Sequence, residues 1–138
     1  MNTLPDWYLQ LRNAMDERVG LEVLEISPDR TVGRMPVEGN TQPMGFWHGG
    51  ATCVLAESLG SLAATAHGIE LGKVALGVDI SATHHRSARE GWVTGVATPL
   101  SLGRRVTSHE IVLTDDGGRR IATARLTCQL VDPPIGKS

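Results

Sequence analysis

Residues Gly49 to Ala66 read GGATCVLAESLGSLAATA, a run long enough for about five helical turns at 3.6 residues each. Glu57 is its only charge. A helix lying on a protein surface carries a wide polar face, whereas one that is small and apolar nearly all round has to be enclosed by protein. The segment is therefore expected to form a buried central helix, and the rest of the chain has to supply its cover.

Downstream, Lys73 to His84, Trp92 to Leu100, Arg104 to Thr114 and Arg119 to Leu130 are rich in Val, Ile and Thr and read as long strands. Between the last two, Asp115-Asp116-Gly117-Gly118 offers residues that tolerate positive φ, which predicts a hairpin and hence antiparallel neighbours. Upstream, Leu21 to Ile26 and Arg30 to Val37 flank Ser27-Pro28-Asp29 and form a second expected hairpin. Trp7 to Met15 has helical spacing, with Trp7, Leu9, Leu11 and Met15 placed to cover a core edge. Glu38 to Trp47 collects Gly39, Asn40, Pro43 and Gly45 and reads as a loop. The sum is an α+β fold, an antiparallel sheet of about six strands wrapped around one long helix. One side of that helix is left to a second copy of the chain in a two-fold dimer, with Ala51, Ala56, Ser58, Gly60 and Ala63 small enough to let two helices approach.

The chain of 138 residues fits a single domain over 1–138, with a loose tail at 132–138 containing Pro133, Pro134 and Gly136. A formal net charge of −2 provides no basic field to gather nucleic acid or an acidic membrane. Two cysteines, Cys53 and Cys128, sit in apolar stretches and fit core thiols in a reducing compartment. The opening residues lack the basic start and apolar run of a secretory signal, so the expected location is cytoplasmic. Pro43, the glycines, His48 and Glu57 interrupt the longest uncharged segments, and no membrane span is expected.

The residues bearing chemistry cluster around the helix. Gln42-Pro43-Met44-Gly45-Phe46-Trp47-His48-Gly49-Gly50 leads into it, and Leu55-Ala56-Glu57-Ser58 and Ser61 lie on it. His84, Arg86-Ser87-Ala88-Arg89-Glu90-Gly91 and Leu102-Gly103-Arg104 follow. Over most of its length the sequence resembles the hotdog thioesterases, in particular the branch of 4-hydroxybenzoyl-CoA thioesterases with a helical catalytic Glu and their dihydroxynaphthoyl-CoA relatives. His-Gly-Gly alone is weak. Its combination with Glu eight residues after the first Gly and Gln six before the His is specific. The resemblance implies a thioester hydrolase needing no metal and no cofactor beyond the coenzyme A of its acyl-CoA substrate, assembled as a homodimer or a dimer of dimers. It makes the Gly49 N–H the donor to the thioester oxygen, with Gln42 orienting substrate or water and His48 stabilising the loop.

That assignment agrees with elementary chemistry. Thioester hydrolysis needs a stabiliser for the developing oxyanion and a nucleophile or base opposite it. The first N–H groups of a helix have no internal partner, and glycine lets substrate approach the main chain, so Gly49 and Gly50 suit the first need. Glu57 can supply the second, as nucleophile or as general base. Two turns separate them, about 12 Å at 1.5 Å per residue, so one chain's Glu57 is expected to face its partner's Gly49. Ser61, one turn beyond Glu57, shares its face and can hold the carboxylate or the water.

Simpler roles exist for each. Glu57 can be a hydrogen-bonded buried carboxylate, His48 a cap for the helix, Gln42 loop surface and Ser61 a packing residue. His84 and His85, adjacent on a strand, point to opposite faces and cannot readily share a metal. One of them, with Arg86 and Ser87, is a candidate for the CoA nucleotide, as are Arg104 and Arg105, which also suit a solvated basic turn. Phe46 and Trp47 either line the acyl pocket or pack the core. Other functions compatible with the fold are an acyl carrier protein thioesterase of a polyketide-type pathway, a hotdog dehydratase or hydratase, and a non-catalytic acyl-CoA-binding protein.

Overall fold

The structure, a computed structural model, describes residues 4–134. Helix α3 (Gly49–Glu70) extends a turn past the expected end. Around it, β1 (Glu22–Glu25), β2 (Thr31–Pro36), β3 (Val74–His84), β4 (Trp92–Leu102), β5 (Val106–Thr114) and β6 (Arg120–Val131) form one antiparallel six-stranded sheet in the order β1-β2-β4-β5-β6-β3. This is the α+β hotdog arrangement expected from the sequence. Alternation is strict along β5 and, after the buried neighbours Ile121 and Ala122, along β6: Thr107, His109, Ile111 and Leu113, then Ala122, Ala124, Leu126 and Cys128, are buried.

Close helix–sheet approach is built from glycine. Gly33 on β2 and Gly95 on β4 are directly paired, and a methyl on either would come within 2.7 Å of a Leu59 methyl. Two missing side chains on neighbouring strands therefore make the hollow that receives Leu59, which is fully buried. Leu55, Met35, Val93, Ile111 and Leu126 complete that core.

The other side of α3 is partly covered by the chain's own N-terminal segment, which changes two expectations. The periodicity of Trp7 to Met15 is split between α1 (Asp6–Leu9) and α2 (Ala14–Val19), because Asn13 starts a new helix by accepting a hydrogen bond from the Asp16 N–H. Trp7 and Tyr8 pack with Leu62, Val23 and Ile26, whereas Leu9, Leu11 and Met15 are exposed. The small residues expected to face a second helix are largely used internally. Ala51, Ala56 and Ala63 are buried, Gly60 meets Leu126, and the Ser58 hydroxyl donates to Asp16 Oδ1 at 2.7 Å. Asp16 is buried with Oδ2 lacking a partner among the described residues, and burial pushes its carboxyl up from the ordinary value, a cost the Ser58 bond offsets in part.

The sheet's turns are pinned by side chains. Asp115 accepts from the Gly117 and Arg119 N–H groups and from Arg119 Nε, all at 3.0 Å. On the other hairpin, Ser27 and Thr31 bond the turn backbone, and buried His109 donates from Nε2 to the Pro28 carbonyl at 3.1 Å. Burial is the main cause holding His109 below the ordinary imidazole value. Of the expected tail, Asp132 pairs with Lys73, Pro133 and Pro134 are exposed, and 135–138 lie outside the described residues. No helix among the described residues is long and apolar enough to cross a membrane.

Two expectations follow for stability. Gly95→Ala, which thrusts a methyl into Leu59, lowers it by about 1–3 kcal/mol. The loss shrinks when Leu59→Ala is combined with it, so additive losses in urea unfolding would refute the shared hollow. The native state keeps His109 neutral while the unfolded chain takes up a proton below about pH 6.5. Its contribution is thus complete above that pH and declines as pH falls toward the lowered native value. His109→Gln, which can still donate to Pro28, flattens the decline in unfolding free energy measured between pH 7.5 and 5.

Candidate active site

The loop entering α3 is held on several sides before the helix begins. Asn40 Nδ2 donates to the Val19 and Pro36 carbonyls, each at 2.8 Å, and the Asn40 carbonyl accepts from the His48 N–H at 2.9 Å. Sequence reading missed Asn40, which resembles any other turn residue in a loop already rich in Gly and Pro. Gln42 closes the next turn: its N–H reaches the Phe46 carbonyl, and its side-chain oxygen accepts from the Met44 and Phe46 N–H groups. The amide nitrogen of Gln42 makes no bond among the described residues and remains a donor at the loop surface.

His48 is the cap of α3. Its Nδ1 accepts from the Gly50 N–H at 2.8 Å, and its carbonyl accepts from the Ala51 and Thr52 N–H groups. With Gly50 consumed, the Gly49 N–H is the donor at the helix start left without an acceptor among the described residues. It carries the partial positive charge of the helix end. His84, at the end of β3, packs directly on this glycine: a methyl at Gly49 would stand 3.1 Å from its Cε1 and 3.2 Å from its Nε2. The cap and the two glycines are thus parts of one loop–helix corner, with an imidazole on either side.

Glu57 is half-buried, not enclosed as the sequence suggested. It lies on the part of the helix surface left open, in line with Gly50, Val54 and Ser61. Ser61 Oγ donates to Glu57 Oε2 at 3.1 Å, one helical turn away. Opposite, Gly77 of β3 lies against the same oxygen. The Cys128 thiol lies beneath, its pKa raised first by burial and then by the charge of Glu57.

β3 retraces the helix backwards, from Gly68 beside Lys73, through Glu57 beside Gly77, to Gly49 beside His84. This sorts the remaining candidates. His85 faces away from His84 and meets Thr123 Oγ1 at 2.9 Å. Arg86 and Ser87 are exposed at the Gly49 end. Arg104 and Arg105 sit at the opposite end, where His67 Nε2 meets the Gly103 carbonyl at 2.7 Å. Gly49 and His67 are about 27 Å apart along the helix, so one chain does not bring the two arginine groups together. Trp47 is core, its Nε1–H donating to Thr52 at 2.8 Å. Phe46, by contrast, is half-buried under the Arg89 guanidinium, which lies 4.6 Å from the ring centre. An open cavity of about 670 Å³ extends from Phe46, Ser87 and Arg89 to Asp116 and Arg119. It lies beside the Gly49 corner and does not include Glu57. Among the described residues no three His, Cys, Asp or Glu side chains converge to hold a metal.

The sequence profile of the Thioesterase superfamily matches residues 44–122, from the end of the entering loop through α3 and β3 to β5. The proofreading thioesterase EntH of Cronobacter turicensis is 44% identical over 112 residues, covering 80% of this chain and 81% of the relative. Its counterpart in Cronobacter sakazakii is 42% identical over 118 residues, 85% of each. Among solved structures, thioesterase HI1161 of Haemophilus influenzae superposes with a TM-score of 0.81 at 35% identity, covering 87% of this chain and 84% of that one.

His48→Ala removes the cap and lowers stability by about 0.5–2 kcal/mol, while His48→Asn, which keeps a capping oxygen, retains most of it. Urea denaturation of both variants checks this; equal losses would assign the effect to packing instead.

Proposed function

The chain belongs to the Thioesterase superfamily and is a thioester hydrolase, and from that premise we propose that it cleaves aryl or other short acyl-CoA thioesters with Glu57 as its catalytic carboxylate. The observation carrying this reading is a Gly49 N–H without an acceptor among the described residues, at a capped helix start, on the same helix as a half-exposed Glu57 steadied by Ser61. The Gly49 N–H receives the carbonyl oxygen as negative charge develops on it, a role worth about 10²–10³ in rate for a single such donor elsewhere. Glu57 either attacks the carbonyl carbon and expels the thiolate, or takes a proton from the water that attacks. Gln42 steers substrate or water, and no metal is called for. Phe46 and the cavity beside it suit an acyl or aryl group, being of the size that holds small ligands.

The spacing of Gly49 and Glu57 supports a site shared between two chains. β3 is an edge strand whose Leu76 and Val78 are 54% and 63% exposed, and such an edge is commonly covered by pairing. A two-fold dimer, or a pair of such dimers, that covers β3 and runs the helices antiparallel brings one chain's Glu57 toward its partner's Gly49. The same operation carries Arg104 and Arg105 toward the partner's Arg86 and His84, where CoA phosphates find charge.

The name proofreading thioesterase carried by the Cronobacter relatives favours a second reading, in which thioesters formed in error, including those on an acyl carrier protein, are the substrates. The openness of the cavity to solvent is compatible with a varied acyl group. Activity on a panel of aryl-CoA, fatty acyl-CoA and carrier-protein thioesters ranks the two.

Glu57→Gln lowers thiol release by about 10²–10⁴-fold with the fold retained. When this variant is mixed and reassembled with Gly49→Val, each inactive alone, about one quarter of the wild-type activity returns, since each mixed dimer regains one intact site. No recovery on mixing argues for a site within one chain, and full activity of Glu57→Gln removes the carboxylate from the mechanism.

A further inference from the structure

Gly77 stands in the middle of β3 in the run Ala75-Leu76-Gly77-Val78. Its φ is not in the left-handed region, so any residue can adopt its backbone. Glycine in such a strand is nonetheless unfavourable by roughly 0.5–1 kcal/mol relative to alanine and forgoes side-chain packing. What the position requires is empty space. A methyl there would stand 2.5 Å from Glu57 Oε2 and 3.4 Å from its Cδ, but 3.7 Å from Oε1.

The strand is also irregular at this point. Gly77 pairs with Cys128 and Asp79 with Thr127, so Val78 is an extra residue opposed by nothing on β6. A bulge of this kind bends the strand and re-aims its neighbours. From the helix side, Ser61 Oγ reaches the same Oε2 at 3.1 Å.

We propose that Gly77 is a positioning residue for Glu57: its missing side chain and the bulge after it form a slot in β3 that seats Oε2 against the strand while Ser61 holds it. Oε1 is then the oxygen presented to the substrate. This rests on the reading of Glu57 as the catalytic carboxylate. A side chain at residue 77 acts by swinging the carboxylate out of line, without touching substrate.

Purified full-length variants, assayed for kcat and KM on one aryl-CoA thioester and for thermal unfolding, test the assignment. Gly77→Ala lowers kcat by about 10- to 100-fold, the scale of a misplacement near 1 Å, with KM little changed. In the Glu57→Asp background, where the acid is one methylene shorter and withdraws from the slot, the same substitution lowers kcat less than about threefold. If Gly77→Ala alone does not fold, the slot predicts that Gly77→Ala with Glu57→Asp does. Equal losses in the two backgrounds, or failure of both to fold, would overturn the proposal in favour of a general need for glycine in β3. Wild-type kcat in Gly77→Ala alongside an inactive Glu57→Gln would also overturn it while leaving the catalytic carboxylate intact. Activity in Glu57→Gln would instead refute the reading beneath it.

Discussion

The close seating of α3 in its sheet governs everything else in this protein. Leu59 enters a hollow made by two paired glycines, and Gly60 meets Leu126 from the helix side. Neither contact tolerates an added methyl without movement, so the helix has little freedom to slide or rotate. Once its rotation is set, Leu55 and Leu59 turn into the main core, Leu62 meets Val23, Trp7 and Tyr8, and Glu57 and Ser61 fall on the surface left partly open.

That constraint passes directly into chemistry. The strand antiparallel to the helix, β3, runs its whole length beside it, so successive positions on β3 face successive turns of α3. His84 is delivered to Gly49, and Gly77 to Glu57. The helix start is prepared separately by a loop in which Asn40, Gln42 and His48 satisfy backbone groups with their side chains. His48 has the subtler effect: by consuming the Gly50 N–H it leaves the Gly49 N–H as the donor at the helix start without an acceptor among the described residues. A carboxylate and an amide without an acceptor among the described residues lie on one helix, at a separation that one carbonyl group does not bridge.

The N-terminal segment modifies this plan. Trp7, Tyr8 and Asp16 cover one flank of the helix with the chain's own residues. The surface available to a second copy is therefore narrower than an uncovered helix provides, while edge strand β3 keeps Leu76 and Val78 exposed. Asp16 is a costly anchor, with one carboxylate oxygen bonded to Ser58 and the other without a partner among the described residues.

Much of this was legible from residue order alone. The absence of charge from Gly49 to Ala66 apart from Glu57 marked the buried helix, β-branched runs separated by turn residues marked the strands, and the spacing of Gln42, His48, Gly49 and Glu57 marked a candidate site, because such signals are local and depend on neighbours within a few residues. The break in the first helix at Asn13 was less visible, since apolar spacing continues across it. Contacts between distant segments were not legible at all. That Gly33 pairs with Gly95, that Gly77 makes room for Glu57, and that Arg86 and Arg104 occupy opposite ends of the helix all follow from strand register. Register depends on the packing of the whole sheet against α3, where a shift of a single residue would turn each side chain to the other face.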